Sequence, residues 1–299
     1  MIKVSIIIVN YKTPSLTVQC VQSILWFETT LNYEIIVVDN DSQDDTEQQL
    51  RAIYPNLKWV QMGYNSGFAK ANNAGLKTAE GNYILFLNSD TILIEPIFQN
   101  LINSLDENRV GLVSCKMLNM DKTLQLSYYD CNHVFKNIWR RNPFVIKCTN
   151  VTERIKKEKR QLQENHAIVH YPDWVSGAVM MLQRKVLENY NLFWDDRFFM
   201  YWEDVELCFR LRKLHLKIKY NPYCQLIHLG GGGANVPFQR YCMMEKSKLL
   251  FVRKRYGCIL YYVYLFLFKS ELYLEKFLEL RKKHSLDGLL KKEVAFYLK

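Results

Sequence analysis

VSIIIVNYKTPSLTVQCVQSILWFETTLNYEIIVVDN, residues 4–40, reads as strand, helix, strand. Val4–Val9 is a β-branched run broken only by Ser5, the composition of a strand buried on both faces, and EIIVV (Glu34–Val38) repeats it. Between them Leu16, Val18, Val21, Ile24 and Leu25 recur close to helical period, which predicts a helix over Ser15–Phe27. The alternation continues with Lys58–Met62 as a shorter strand, Phe68–Thr78 as an Ala- and Asn-rich helix, and YILFL (Tyr83–Leu87) as another buried strand. Strands joined through helices by short connections need right-handed crossovers and give a parallel sheet covered on both faces, so the fold class is α/β.

Sheets of this kind bind ligands beyond the carboxyl ends of their strands. Three of the strands end in polar residues: Asn10-Tyr11, Asp39-Asn40-Asp41 and Asn88-Ser89-Asp90. Any one of these sets could be a turn or a helix cap. Three along one edge point instead to a polar ligand. No GxGxxG follows the first strand and no GxxxxGK[ST] occurs, so the phosphate-cradling glycines of dinucleotide-binding and P-loop folds are missing. A phosphate-bearing ligand would need a metal ion in their place.

The 299 residues allow one large domain or two sharing a core, and 49% hydrophobic with 23% charged residues exclude disorder, collagen and coiled coil. Lys and Arg outnumber Asp and Glu 40 to 30, but unevenly. Residues 1–130 carry 9 basic and 14 acidic groups, 131–170 carry 9 and 3 (Arg140-Arg141 and Ile155–Arg160 among them), and 240–299 carry 14 and 6. Two basic regions of this kind suit an anionic partner surface, nucleic acid or acidic lipid, or simply a solvated face. The eight cysteines form no CxxC and no regular spacing, which argues against a zinc site or disulfide framework and for a reducing compartment. No secretory signal is visible, and Cys258–Phe268 is about half the length of a membrane-spanning helix, so a cytoplasmic location is expected.

Seven segments occur in one order: VSIIIVNYK (4–12), IIVVDNDSQDD (35–45), NSGFAKANNAGL (65–76), ILFLNSDT (84–91), WVSGA (174–178), WDDRFFMYWEDVELCFR (194–210) and IHLGGGG (227–233). With them the chain resembles the family 2 glycosyltransferases of the GT-A fold, in particular a bacterial rhamnosyltransferase-like branch. The resemblance covers roughly residues 4–235. It implies a Rossmann-like mixed, mainly parallel sheet flanked by helices, with a nucleotide-sugar-binding half (1–115), an acceptor-binding and catalytic half (116–235) holding a basic insertion at 131–170, and a basic amphipathic helical region (236–299).

The implied reaction is an inverting transfer of a sugar, dTDP-rhamnose or a UDP-sugar being the candidate donors, to a hydroxyl of a saccharide or lipid-linked saccharide in surface-polysaccharide assembly. By the same resemblance Asp90 and His228 would ligate Mg²⁺ or Mn²⁺, hard oxygen ligands suiting either ion. Asn88-Ser89-Asp90 stands where many members carry two aspartates, leaving one carboxylate for the ion. Asn10, Asp39, Asn65, Gly67, Asn73, Asn88 and Asp90 would line the donor pocket, Asp39 as acceptor for the base and ribose. Asp204 would be the general base, with Glu203 orienting the acceptor or pocket. Trp174, Ser176, Gly177 and Trp202 would wall the acceptor.

Other residues read as structural. Glu206 and Arg210, four apart, make a helix ion pair, and Asp195 and Asp196 pin a loop. The C-terminal region has Tyr241, Leu249, Val252 and Tyr256 on one helical face and Lys246, Arg253 and Arg255 on another, continuing through Cys258–Phe268 into Leu272–Leu280. Such a region fits an anionic leaflet at the inner face of the cytoplasmic membrane, a homodimer interface, or packing on the catalytic core. The alternative to an enzyme is a nucleic-acid- or membrane-binding protein that uses this basic tail. No nucleic-acid module is recognised and the N-terminal half is acidic, so no nucleic-acid partner is expected.

Overall fold

The computed structural model describes residues 3–130, 166–230 and 238–282. The basic segment with Arg140-Arg141 and Ile155–Arg160, and Gly231–Gly233 of the glycine run, lie outside the described residues. The chain divides into two compact units, one of Met1–Asp130 with Arg160–Ala234, the other of Cys131–Lys159 with Asn235–Lys299.

The first unit begins β1 (Val4–Asn10), α1 (Pro14–Phe27), β2 (Tyr33–Asp39), α2 (Thr46–Ile53), β3 (Lys58–Gln61), α3 (Phe68–Thr78) and β4 (Tyr83–Asn88). It continues with β5 (Thr91–Leu93), α4 (Phe98–Leu105), β6 (Val110–Leu118), β7 (Leu124–Gln125), β8 (Tyr128–Tyr129), β9 (Trp174–Val175), β10 (Val179–Gln183), α5 (Arg184–Asn189), α6 (Glu203–Lys213) and β11 (Lys217–His228). Among the described residues one sheet runs β3-β2-β1-β4-β10-β6-β11-β5, with β7 on β6. β3, β2, β1 and β4 are mutually parallel. β10 enters antiparallel between β4 and β6, whereas β11 is parallel to β6. The sheet is mixed and mainly parallel, as expected of the GT-A type.

Side chains of the buried strands alternate between two cores. Ile6, Ile8, Ile35, Val37, Leu85 and Leu87 meet Val21 and Ile24 of α1 and Leu101 of α4 on one face. Ile7, Ile36, Val38, Ile84 and Phe86 meet Ala69, Ala71 and Leu76 of α3 and Leu207 of α6 on the other. Each buried Val, Leu, Ile or Phe among them contributes about 1.5–3 kcal/mol. With both faces covered, β1, β2 and β4 are locked in register, and their carboxyl ends form a fixed edge.

In the second unit, α7 (Phe238–Lys282) is interrupted at Gly257, whose φ of 83° is not helical. The Tyr264 hydroxyl donates to Glu245 Oε2 at 2.6 Å, and the Tyr241 and Phe268 rings lie 6.4 Å apart. Residues 19 and 27 apart in a straight helix would be separated by about 28 and 40 Å. The two limbs therefore fold back on each other as an antiparallel hairpin at Gly257, a position that L-residues with a Cβ rarely adopt. The expected continuous amphipathic stretch is this hairpin, with Phe251, Val252, Tyr264 and Phe268 buried. No helix among the described residues is long and apolar enough to cross a membrane.

Candidate active site

The sheet edge brings the strand-end polar residues together. Asn10 stands opposite Asp39 and Val9 opposite Asn88. Asn10 is fully buried; its amide donates to Asp39 Oδ1 at 2.8 Å and Ser42 Oγ at 3.0 Å, and its oxygen accepts from Thr17 Oγ1 at 2.7 Å. Asp39 Oδ2 accepts from the Ser42 N–H at 3.0 Å and from Gln61 at 2.9 Å. Burial works to raise the Asp39 carboxyl, but the donors of Ser42, Gln61 and Asn10 outweigh it and hold the group below the usual carboxylate range. Asp39 is thus a fixed, ionised acceptor. Next to it, Asn40 Oδ1 accepts from the Ser66 N–H and its amide donates to Asn65 Oδ1, tying the loop before α3 to the end of β2.

At the end of β4, Asp90 Oδ1 lies 3.2 Å from His228 Nε2 at the end of β11. The two are brought together by antiparallel pairing of Thr91 with His228 and by the Leu229 N–H, which donates to the Asp90 carbonyl at 2.9 Å. Asn88 Nδ2 is 3.4 Å from His228 Nε2, and Asn88 Oδ1 is buried without a hydrogen-bond partner. The other imidazole nitrogen, Nδ1, is 2.6 Å from Gln125 Oε1. A Cβ at Gly230 would overlap the Asp90 carboxylate, so glycine there leaves Asp90 its place beside His228.

Behind this pair, Ala178 O accepts from the Asn88 N–H at 2.9 Å, and the preceding Gly177 N–H donates to Asp204 Oδ2 at 3.0 Å. Asp204 Oδ1 accepts from the Val205 N–H at 2.8 Å. Burial pushes both Glu203 and Asp204 up, and Glu203 is pushed further by the neighbouring Asp204 charge. Asp204 has two backbone donors to support a negative charge; Glu203 Oε2 is buried with none. Of the two, Asp204 is the better placed to carry a negative charge.

The backbone that aims this pair is strained. Tyr201 and Trp202, immediately before α6, both have φ near +70°, which costs non-glycine residues on the order of 1–3 kcal/mol each. Gly67, at φ 82°, sits against Phe199, and the Phe68 N–H donates to Phe199 O at 2.7 Å, joining the start of α3 to the loop before α6. Trp174 stacks on Tyr129 at 4.4 Å with planes 21° apart across the β8–β9 pair. Burial raises the Tyr129 phenol, and the nearby Asp204 charge raises it further. The Ser176 N–H donates to Ser127 O and its hydroxyl accepts from the Ala178 N–H, so both ends of Ser176 hold the β9–β10 turn.

Asp39 ends β2, Asp90 follows β4 and faces His228 at the end of β11, and Asp204, in the first turn of α6, is tied through the Gly177 N–H to the turn before β10. Asn73 does not join them: its amide bonds both the N–H and the carbonyl of Trp194, anchoring the loop rather than facing the sheet edge. The structural readings of Glu206–Arg210 and Asp195 are seen directly, as ion pairs at 2.8 Å and, with Arg197, at 2.7 Å. Sequence reading missed Gln125, Tyr129 and Gln61. Gln61 ends β3 on the same edge as Asp39 and could have been read from strand position; the other two carry no signal in the sequence.

Asp90 and His228 combine a carboxylate oxygen and an imidazole nitrogen, with a buried amide oxygen beside them, a donor set that suits Mg²⁺ or Mn²⁺. No group of three or more His, Cys, Asp or Glu that could hold a metal occurs among the described residues. Asp90 and His228 would be two such ligands, leaving phosphate and water to complete the shell.

The minor teichoic acid biosynthesis protein GgaB of Bacillus subtilis is 38% identical over 81 residues, covering 26% of this chain and 9% of GgaB. The rhamnosyltransferase WbbL of Escherichia coli is 26% identical over 204 residues, covering 66% of this chain and 73% of WbbL. The crystal structure of GalNAc-T7 with UDP, GalNAc and Mn²⁺ shares the fold at a TM-score of 0.59 and 14% identity, over 85% of this chain and 48% of that one. The chain thus spans less than a tenth of GgaB and about three quarters of WbbL. The profile of Glycosyl transferase family 2 matches residues 5–190, well over half of the chain, and on that match the chain belongs to glycosyl transferase family 2.

Proposed function

We propose that the protein is a metal-assisted, inverting glycosyltransferase that moves a sugar from a nucleoside-diphosphate sugar to a hydroxyl of a saccharide or lipid-linked saccharide in surface-polysaccharide assembly. The observation that carries the reading is the facing pair Asp90 and His228, with Asp204 tied through the Gly177 N–H to the turn before β10, the strand beside β4. Residues 1–115 would hold the donor, and 116–235 the acceptor and base. The names of WbbL and GgaB support the polysaccharide context, and a fold-sharing protein bound to UDP and Mn²⁺ supports the donor class.

Asp39, ionised and held on both oxygens, would accept from the imide N–H of uracil or thymine. Asn65 and Gly67 shape the adjacent loop. Asp90, His228 and Asn88 Oδ1 would hold the divalent cation. Bound there, it would act as a Lewis acid on the departing diphosphate. Asp204 would take the acceptor hydroxyl's proton as that oxygen attacks the anomeric carbon from the side opposite the diphosphate, which inverts the configuration. Such general-base help is worth about 10²–10⁴-fold. Glu203, whose carboxyl burial and the Asp204 charge push up, disfavours a second charge beside the nucleophile. Trp174, with Tyr129 and Trp202, would present aromatic faces to the acceptor sugar, on which its C–H groups pack.

The hairpin of the second unit fits an anionic bilayer surface. Ile259, Tyr262, Phe266 and Tyr273 are 54–82% exposed and fall three, four and seven residues apart on one helical face, with exposed Arg253 and Lys254 nearby. Flotation with anionic vesicles at low salt tests this; a concentration-dependent dimer without flotation would support a second copy as partner instead. The function itself is tested by nucleoside diphosphate release from a panel of nucleotide sugars with Mn²⁺ or Mg²⁺. Release that depends on both a sugar acceptor and the cation is expected. Binding to random DNA with no nucleotide-sugar binding at all would overturn the reading.

A further inference from the structure

The hairpin between β6 and β7 ends against the imidazole of His228, and its hydrogen bonds run in one direction only. Asp121 accepts from the Thr123 hydroxyl at 2.5 Å, and burial plays little part in this exposed carboxylate: the Thr123 hydroxyl and N–H hold it below the usual range. Having donated its proton to Asp121, Thr123 Oγ1 can only accept from Asn119 Nδ2, at 2.9 Å. That fixes which way the Asn119 amide points, so Asn119 Oδ1 accepts from Gln125 Nε2, at 3.0 Å. Gln125 Nε2 also donates to the His228 carbonyl at 3.1 Å. With its nitrogen facing two oxygens that cannot donate, Gln125 must turn Oε1 toward His228 Nδ1, 2.6 Å away. Nδ1 must then carry the hydrogen. In the neutral ring the Nε2 lone pair then lies 3.2 Å from Asp90 Oδ1 and 3.4 Å from Asn88 Nδ2, and a cation bound by Nε2 and Oδ1 together would use both lone pairs.

We propose that Gln125, oriented by Asn119, is a positioning residue that fixes His228 as its Nδ1–H tautomer and directs Nε2 to the cation shared with Asp90. The inference rests on the metal reading above for its consequence, but its geometry stands by itself. Gln125 touches neither donor nor acceptor. It acts by holding the ring and presenting Nε2, not Nδ1, to the cation site, the task that carboxylates and carbonyls behind metal-bound histidines commonly perform. Two-residue strand β7 is long enough for this alone: Gln125 pairs with Met117 and Leu124 with Leu118, closing the turn that carries Asn119, Asp121 and Thr123.

The test has two readouts. The first is the ¹⁵N–¹H correlation pattern of the His228 ring in metal-free protein at alkaline pH, which separates the two neutral tautomers. The second is Mn²⁺ affinity by electron paramagnetic resonance, with and without UDP as a probe. Wild type should show the Nδ1–H pattern. Gln125→Met, close in length but without the amide, should lose that single pattern and bind Mn²⁺ with UDP about 10–100-fold more weakly, the usual cost of removing such a support. Gln125→Glu keeps an oxygen opposite Nδ1 and should restore both readouts, even where thermal denaturation shows lower stability. An Nε2–H pattern in wild type, or an unchanged pattern in a folded Gln125→Met protein, overturns the proposal. So does unchanged Mn²⁺ affinity in Gln125→Met when His228→Ala weakens it. If His228→Ala itself leaves Mn²⁺ affinity unchanged, the metal reading fails, and the tautomer pattern alone decides the role of Gln125.

Discussion

Replacing Asp204 by asparagine changes one atom of the proposed base and separates chemistry from folding. Asp204 receives two backbone donors, Val205 N–H on Oδ1 at 2.8 Å and Gly177 N–H on Oδ2 at 3.0 Å. A carboxamide has one acceptor oxygen, so its NH₂ must face one of these donors. A buried backbone N–H left unpaired costs about 1–3 kcal/mol. Against that, the change removes a buried charge beside Glu203, so the net loss belongs at the lower end, about 1 kcal/mol. For a unit of this size it would lower Tm by about 2–4 °C. The kinetic loss should be larger. An amide cannot take the acceptor's proton, and about 10²–10⁴ in kcat corresponds to about 2.7–5.5 kcal/mol. The assay is nucleoside diphosphate release under saturating donor and acceptor, with donor KM and thermal denaturation measured on the same preparation. The reasoning predicts a collapsed kcat, donor KM within about threefold of wild type, and a small Tm shift. A kcat within about threefold of wild type would refute the base assignment; loss of donor binding in parallel with kcat would mean that Asp204 shapes the donor site instead.

Burial and the adjacent Asp204 keep Glu203 protonated in the fold to a higher pH than the value of about 4.3 expected in the unfolded chain. The native state then binds more protons than the unfolded state across that window, so stability falls as pH rises through it. Glu203→Gln removes this loss, and its Tm relative to wild type should be level below the unfolded value of about 4.3 and rise above it until Glu203 ionises in the fold; a constant difference at all pH values contradicts the assignment. Gly230→Ala should drive the Asp90 carboxylate from its position and weaken Mn²⁺-dependent UDP binding at least about tenfold, while stability, as for an exposed site, stays within about 0.5 kcal/mol. Isothermal titration measures the former and denaturant titration the latter, and intact binding in the folded variant would show that Gly230 does not constrain Asp90. Trp174→Ala removes the ring stacked on Tyr129, and acceptor KM should rise about tenfold, about 1.4 kcal/mol, with donor KM unchanged; a change in donor KM alone would move Trp174 out of the acceptor wall.

The parallel half of the sheet is legible because its strands are buried on both faces. A run such as Val4–Val9 leaves no other partner than a sheet covered by helices, and β1, β2, β4 and α3 fall within a residue or so of their predicted bounds. β10 was less readable: VMMLQ carries apolar content but nothing that sets its direction, and its antiparallel entry depends on where the chain returns after β9. The helical hairpin was hidden for a related reason, since one glycine in a long amphipathic pattern is compatible with a helix until tertiary contacts such as Glu245 with Tyr264 demand reversal. In the site, strand-end aspartates stand out by type and position. Gln125 does not, because an amide acquires its role only from what it faces, and neither the His228 ring nor the Asn119 amide is near it in any helical or strand period. Asn73 shows the converse: a polar residue inside a recognisable segment whose side chain serves the backbone of Trp194.

The central claim is that Asp90 and His228 share one cation with the donor's diphosphate. Its most direct measurement is a crystal structure of the protein with Mn²⁺ and UDP, with data collected at the manganese absorption edge. The account predicts one anomalous peak about 2.0–2.3 Å from both an Asp90 carboxylate oxygen and His228 Nε2, with diphosphate oxygens on its open side. A manganese peak elsewhere, or diphosphate bound away from this pair, would contradict it.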